Sequence, residues 1–141
     1  MRLMLQKNLR APVTRIINPL CRRLLKLGLT ANHVSAVGAL GSAISAIYFY
    51  SSGKFFLGTL ITVIFVLSDL LDGTMARIAG TTSKWGALLD STLDRITDAA
   101  VLGSLAYNLA KHGDPLVPVV LVALIAGNLV SYIKARAESL N

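Results

Sequence analysis

Residues 115–133, PLVPVVLVALIAGNLVSYI, carry no charged side chain. A helix needs about 20 predominantly apolar residues to cross the hydrocarbon core of a bilayer, and this run meets that length. Backbone in lipid has to satisfy its own hydrogen bonds, which favours helix over an open strand. Three further stretches read the same way: Ala31–Tyr50, Phe55–Leu71 and Gly86–Leu109. SSGK and KHGD are short polar turns between them. The prediction is an all-α polytopic membrane bundle of four transmembrane helices. Gly38, Ala39, Gly41, Ser42 and Ala43 give the first span a surface of small residues that lets another helix approach closely.

Composition agrees. Apolar residues make up 54% of the chain, charged residues 15%, and the mean hydropathy is +0.63. Soluble domains carry about 25% charged residues. The net charge is +7, no acidic residue precedes Asp69, and the basic residues crowd the first 26 positions. Joined to apolar spans, such a basic end suits anionic lipid rather than nucleic acid. Residues 3–27 are expected to form an amphipathic interfacial helix. Val13, Ile16, Ile17, Leu20 and Leu24 follow helical spacing, and Arg15, Arg22, Arg23 and Lys26 fall largely elsewhere. Pro12 suits a helix start and Pro19 predicts a kink or break. The chain thus divides into a juxtamembrane helix, 1–27, and a transmembrane domain, 28–141. Cys21 is the single cysteine and is expected to be a small buried or interfacial residue. The first 27 residues lack the unbroken apolar core of a cleavable signal peptide.

The positive-inside rule orients the spans. With the N-terminus inside, the inner segments hold seven early basic residues plus Arg77, Lys84, Lys134 and Arg136, eleven in all. The outer turns hold two, Lys54 and Lys111. The segment GTMARIAGTTSK, read as a loop, then lies on the cytoplasmic side of the plasma membrane.

Against this background the acids stand out. Asp69 and Asp72 are one helical turn apart at the end of the second span, and Asp90 and Asp94 are one turn apart in the third. If the two helices are antiparallel neighbours, the carboxylates converge. Ionisable groups at membrane depth mark functional sites by default. Converging carboxylates must be neutralised by protons or cations. Oxygen ligands without His or Cys suit Mg²⁺ or Mn²⁺, and paired ions about 4 Å apart are typical of phosphoryl transfer. Gly73 allows close backbone approach, and Arg77, Lys84, Thr81, Thr82 and Ser83 offer anion-binding groups. Three readings stay open on these residues alone: metal-dependent phosphoryl transfer, an ion or proton relay, and a structural ion-pair network.

The spacing of these residues resembles the signature of the CDP-alcohol phosphotransferase family. Asp69, Asp72-Gly73, Ala76-Arg77, Gly86, Asp90 and Asp94 match every fixed position and gap of that signature. The resemblance implies transfer of a phosphatidyl-type group from a CDP-linked lipid to an alcohol, with release of CMP. It implies that Asp69, Asp72 and Asp90 hold metal, and that Asp94 lies at the metals and serves as general base. Gly73, Ala76 and Arg77 would cradle the pyrophosphate and cytidine, with Ser83 a weaker candidate there.

Two further segments, VTRIINPLCRRLLKLGLTANHVS and SYIKARAES, resemble the branch of the family that makes phosphatidylinositol phosphate in actinobacteria. That likeness implies CDP-diacylglycerol as donor and inositol 3-phosphate as acceptor. Asn32, His33, Val34 and Ser35 would line the nucleotide pocket, and Ser131, Lys134 and Arg136 would receive the acceptor phosphate. Glycerol 3-phosphate is the alternative acceptor; an ion carrier or a non-catalytic fragment is the alternative from another class. Two Mg²⁺ or Mn²⁺ ions and a homodimer are implied. Family members usually have six spans, so four imply a chain incomplete at its C-terminus.

Overall fold

The computed structural model of the protein describes residues 17–140. Every regular element among them is a helix: α1 over 17–26, α2 Ala31–Ser51, α3 Phe55–Val66, α4 Asp69–Ala79, α5 Lys84–Lys111 and α6 Val117–Ser139. The interfacial helix expected over 3–27 is thus seen only in its second half, and Pro12 lies outside the described residues. Pro19 stands in the first described turn of α1, and the residues before it that would show a kink lie outside the described residues. Cys21 is fully buried, and its Sγ lies 3.5 Å from the Leu71 carbonyl oxygen. Burial raises the pKa of its thiol. The cysteine therefore packs α1 against α4.

Helix α2 is the hub. It packs against α3, α4 and α5, while α6 packs against α5. Its small residues set the distances. A Cβ built at Gly38 would lie 1.9 Å from Ser68 Oγ and 3.1 Å from the Phe65 carbonyl oxygen. One at Gly41 would lie 2.4 Å from the Phe65 ring. Polar bonds then pin the helices: Thr62 Oγ1 to Ser45 Oγ at 3.4 Å, Tyr50 Oη with Thr59 Oγ1 at 3.0 Å, and Asn108 Nδ2 to the Ser51 carbonyl at 3.2 Å. In lipid there is no hydrophobic drive between helices, so contacts of this kind carry the packing. Gly38→Val is expected to lower the Tm of the detergent-solubilised protein by roughly 5 °C, the overpacking penalty for a chain of this size. An unchanged Tm would show that α2 and α3 do not meet at this glycine.

Three helical stretches among the described residues are long and apolar enough to span a membrane: Ala31–Ser51, Phe55–Ala79 and Val117–Ser139. The expected third span, α5, has the length at 28 residues. Asp90, Asp94, Arg95 and Asp98 in its first half keep it from meeting the same standard of apolarity. Large apolar side chains face outward along α3 and α6, among them Phe56, Ile64, Val122 and Ile125. That is the surface of a protein whose solvent is hydrocarbon.

The second span differs from expectation. The sequence suggests a span continuous to Leu71, followed by a loop through residue 84. In the structure α3 ends at Val66, and a tight turn through Leu67 and Ser68 leads straight into α4. There the amides of Ser68, Leu70 and Leu71 bond three residues back, and Ser68 Oγ donates to the Phe65 carbonyl at 2.6 Å. Gly73, Ala76 and Arg77 therefore stand on a helix. The connection proper is Gly80–Ser83. Gly80 closes α4 at φ +64°, where a side chain would be strained. Ser83 opens α5, its Oγ accepting from the Gly86 amide at 3.0 Å.

Candidate active site

The tight turn before α4 places Asp69 and Asp72 opposite the first half of α5. One carboxylate oxygen from each of Asp69, Asp72 and Asp90 lies within 4.8 Å of the others. Asp72 is buried, while Asp69 and Asp90 are exposed to the surrounding clefts. Asp94, one turn beyond Asp90, falls outside this close trio. The four acids approach one another as expected, but three of them form the tight group.

Three cavities meet at the trio, and Asp90 lines all of them. The first lies between the start of α2, the α4 face and the start of α5. It holds about 200 Å³ and is walled by Asn32, Ser35, Asp72, Gly73, Ala76, Thr81, Thr82, Ser83 and Gly86 among others. The second, about 120 Å³, lies deeper, against Ser42, Asp69, Asp94, Thr97 and Asp98. The third is the largest at about 900 Å³ and opens between α5 and α6. Its walls include Asp94, Arg95, Asn128, Ser131, Tyr132, Lys134 and Glu138.

This geometry sorts the residues singled out from the sequence. Asn32, Ser35, Gly73, Ala76 and Ser83 share one cleft with Asp72 and Asp90. His33 and Val34 are not among its walls. The His33 ring instead closes a capping box on α2: its Nδ1 accepts from the Thr30 amide at 3.4 Å, and its own amide donates to Thr30 Oγ1 at 3.3 Å. Arg77 is also off the cleft wall, its Nη2 donating to Thr74 Oγ1 one turn back at 2.9 Å. Ser131 and Lys134 line the large cavity with Asp94. Arg136 does not; it stays exposed in the last turn of α6.

Two features escaped the sequence reading. Ser35 Oγ donates to Asp72 Oδ2, so the buried acid of the trio is held by a residue 37 positions away. Asn128, Tyr132 and Glu138 join Ser131 on one wall. Positions 128, 131, 135 and 138 follow helical spacing, and that stripe was the available signal. Arg95 pairs with Asp98 at 3.1 Å, and its Nη1 also donates to the Gly127 carbonyl at 3.2 Å, tying α5 to α6.

The described residues thus form a helical bundle with membrane-length apolar helices and a carboxylate trio set between clefts. The chain belongs to the CDP-alcohol phosphatidyltransferase family, which matches residues 28–139. Within it, the chain is similar to the phosphatidylinositol phosphate synthase of Streptomyces avermitilis, 45% identical over 139 residues, 97% of this chain and 57% of that protein. It is similar also to the Mycobacterium tuberculosis (strain H37Rv) synthase of the same name, 43% identical over 132 residues, 92% of this chain and 61% of that protein. The crystal structure of the M. tuberculosis enzyme with CDP-DAG bound superposes with a TM-score of 0.86 at 42% identity, over 90% of this chain and 65% of that one. A second structure of that enzyme, in complex with manganese and citrate, gives 0.83 over 87% and 60%. The chain therefore spans less than two thirds of the length of these relatives.

Proposed function

We propose that this chain carries the catalytic centre of a phosphatidyltransferase that moves the phosphatidyl group of CDP-diacylglycerol to inositol 3-phosphate and releases CMP. The observation that carries the reading is the carboxylate trio of Asp69, Asp72 and Asp90, with Asp90 on the wall of both the cleft between α2, α4 and α5 and the large cavity between α5 and α6. The donor set fits the metal. Asp69, Asp72 and Asp90 offer hard oxygen ligands within 4.8 Å of one another, with no nitrogen or sulfur in the group. These residues, with Asp94, would hold two Mg²⁺ or Mn²⁺ ions. Bound there, the ions supply neutralisation of the pyrophosphate and of the leaving CMP.

The protein's own groups do the rest. Gly73 and Ala76 let the pyrophosphate lie against the α4 backbone, and Asn32 and Ser83 border the nucleotide. A Cβ at Gly86 would lie 3.7 Å from Asn32 Oδ1, so a larger residue there would narrow the cleft. Lys134 and Ser131 receive the acceptor phosphate across the large cavity. Asp94 takes the proton of the acceptor hydroxyl, whose oxygen attacks the phosphorus nearer the diacylglycerol. The bond from that phosphorus to the bridging oxygen breaks, and CMP leaves with the electron pair. Arg77 serves the phosphates from the same helix, one turn beyond Gly73, and His33 acts through the start of α2. Residues 1–27 serve as the juxtamembrane segment and 28–141 as the transmembrane catalytic unit. The charge bias supports a cytoplasmic active site at the plasma membrane, and the homodimer implied by the family resemblance belongs to the same proposal.

The test is CMP release from CDP-diacylglycerol by the chain in lipid with Mn²⁺. The arms supply inositol 3-phosphate, glycerol 3-phosphate or no acceptor. Release only with inositol 3-phosphate is expected. Release with glycerol 3-phosphate alone would replace the acceptor, and none with either would overturn the reading for this chain.

A further inference from the structure

We infer that Ser35 is a positioning residue for the metal centre: its hydroxyl fixes the orientation of the Asp72 carboxylate and thereby sets the affinity of the Asp69–Asp72–Asp90 trio for a divalent cation. The inference rests on the metal-centre reading above and assigns Ser35 a task other than contact with nucleotide.

Ser35 stands one turn into α2, the helix against which α4 packs. Its Oγ donates to Asp72 Oδ2, and it lies 3.2 Å from the carbonyl of Ala31 on its own helix. A hydroxyl has one proton, and the carboxylate, charged and nearer, is the stronger acceptor. Asp72 is 7% exposed. Water has little access to orient it, and the terminal torsion of an aspartate is broad and poorly self-determined. The bond from Ser35 removes that freedom. With Oδ2 engaged by α2, the carboxylate is held at one rotation, and its approach to Asp69 and Asp90 is set by the packing of α2 on α4. Ser35 also lines both the nucleotide-side cleft and the deeper cavity, so it stands in the wall that the trio shares. Partners of this kind, one bond removed from the ion, typically change metal affinity by about 10–100-fold.

The experiment is a Mn²⁺ titration of the purified chain in detergent, with free Mn²⁺ read by electron paramagnetic resonance. Variants are first matched to the unsubstituted chain by circular dichroism. Ser35→Ala is expected to raise the Kd for Mn²⁺ about tenfold. Ser35→Thr keeps the hydroxyl and is expected to stay within about threefold of the unsubstituted chain, whereas a packing role would make both substitutions costly. If Ser35→Ala does not fold, Ser35→Cys, nearly isosteric and a weak donor, replaces it in the comparison. A Kd for Ser35→Ala equal to that of the unsubstituted chain, or a Ser35→Thr as weak as Ser35→Ala, would overturn the inference and leave the metal centre standing. An unsubstituted chain that binds no Mn²⁺ would overturn the metal-centre reading and the inference together.

Discussion

Asp90→Asn is expected to eliminate Mn²⁺ binding and CMP release together, with turnover falling by about 10²–10³-fold or more. Asp90 is the residue common to all three cavities and one of the three whose carboxylate oxygens lie within 4.8 Å of one another. An asparagine keeps the shape but removes the charge, and its amide nitrogen has no lone pair for a hard cation. The effect on the metal-free protein runs the other way. Three carboxylates in this space repel one another, so removing one charge relieves the folded state. Asp90→Asn should therefore unfold at the same or a higher temperature than the unsubstituted chain without metal, and gain little when Mn²⁺ is added. Thermal melts with and without Mn²⁺ read both effects. A variant that melts lower without metal, or that still gains from Mn²⁺ as the unsubstituted chain does, would show that Asp90 serves the fold and not the ion.

Asp94→Asn is expected to separate binding from transfer. Asp94 stands outside the close trio and faces the cavity that holds Ser131 and Lys134. Its loss should leave CDP-diacylglycerol capture largely intact and Mn²⁺ still bound at the trio, with fewer ions per chain. CMP release should fall by about 10²–10⁴-fold, the usual range for removal of a general base. Equilibrium binding of the CDP-lipid measured beside CMP release tests the split. Turnover above about a tenth of that of the unsubstituted chain would sink the base assignment.

Much of this protein is legible in its chain because lipid leaves few choices. Runs of apolar residues have to be helices in a bilayer, so α2 was placed almost to the residue, while α6 begins two residues later and runs six residues further than its apolar stretch, to Ser139. The acids were equally plain, since one-turn spacing on helices holds in any packing that keeps the helices. Position relative to neighbours was not. Ser68 gives no warning that the second span tightens before Asp69, where its hydroxyl bonds the Phe65 carbonyl and lies against Gly38 of α2. His33 reads as a ligand in a motif, yet its ring is engaged with Thr30 at the start of its own helix. Arg136 has the right charge at the right end of α6 but is not among the residues that line the cavity with Lys134.

The division follows from the range of the forces. Hydropathy and helical period act within one segment, so the sequence by itself determined a membrane bundle, its spans and the identity of the acids. Which oxygens come within reach of one ion, and which hydroxyl holds them, depends on how α2, α4 and α5 pack. That packing is decided by contacts between residues tens of positions apart, such as Ser35 with Asp72 and Arg95 with Gly127. Only the tertiary structure could decide it.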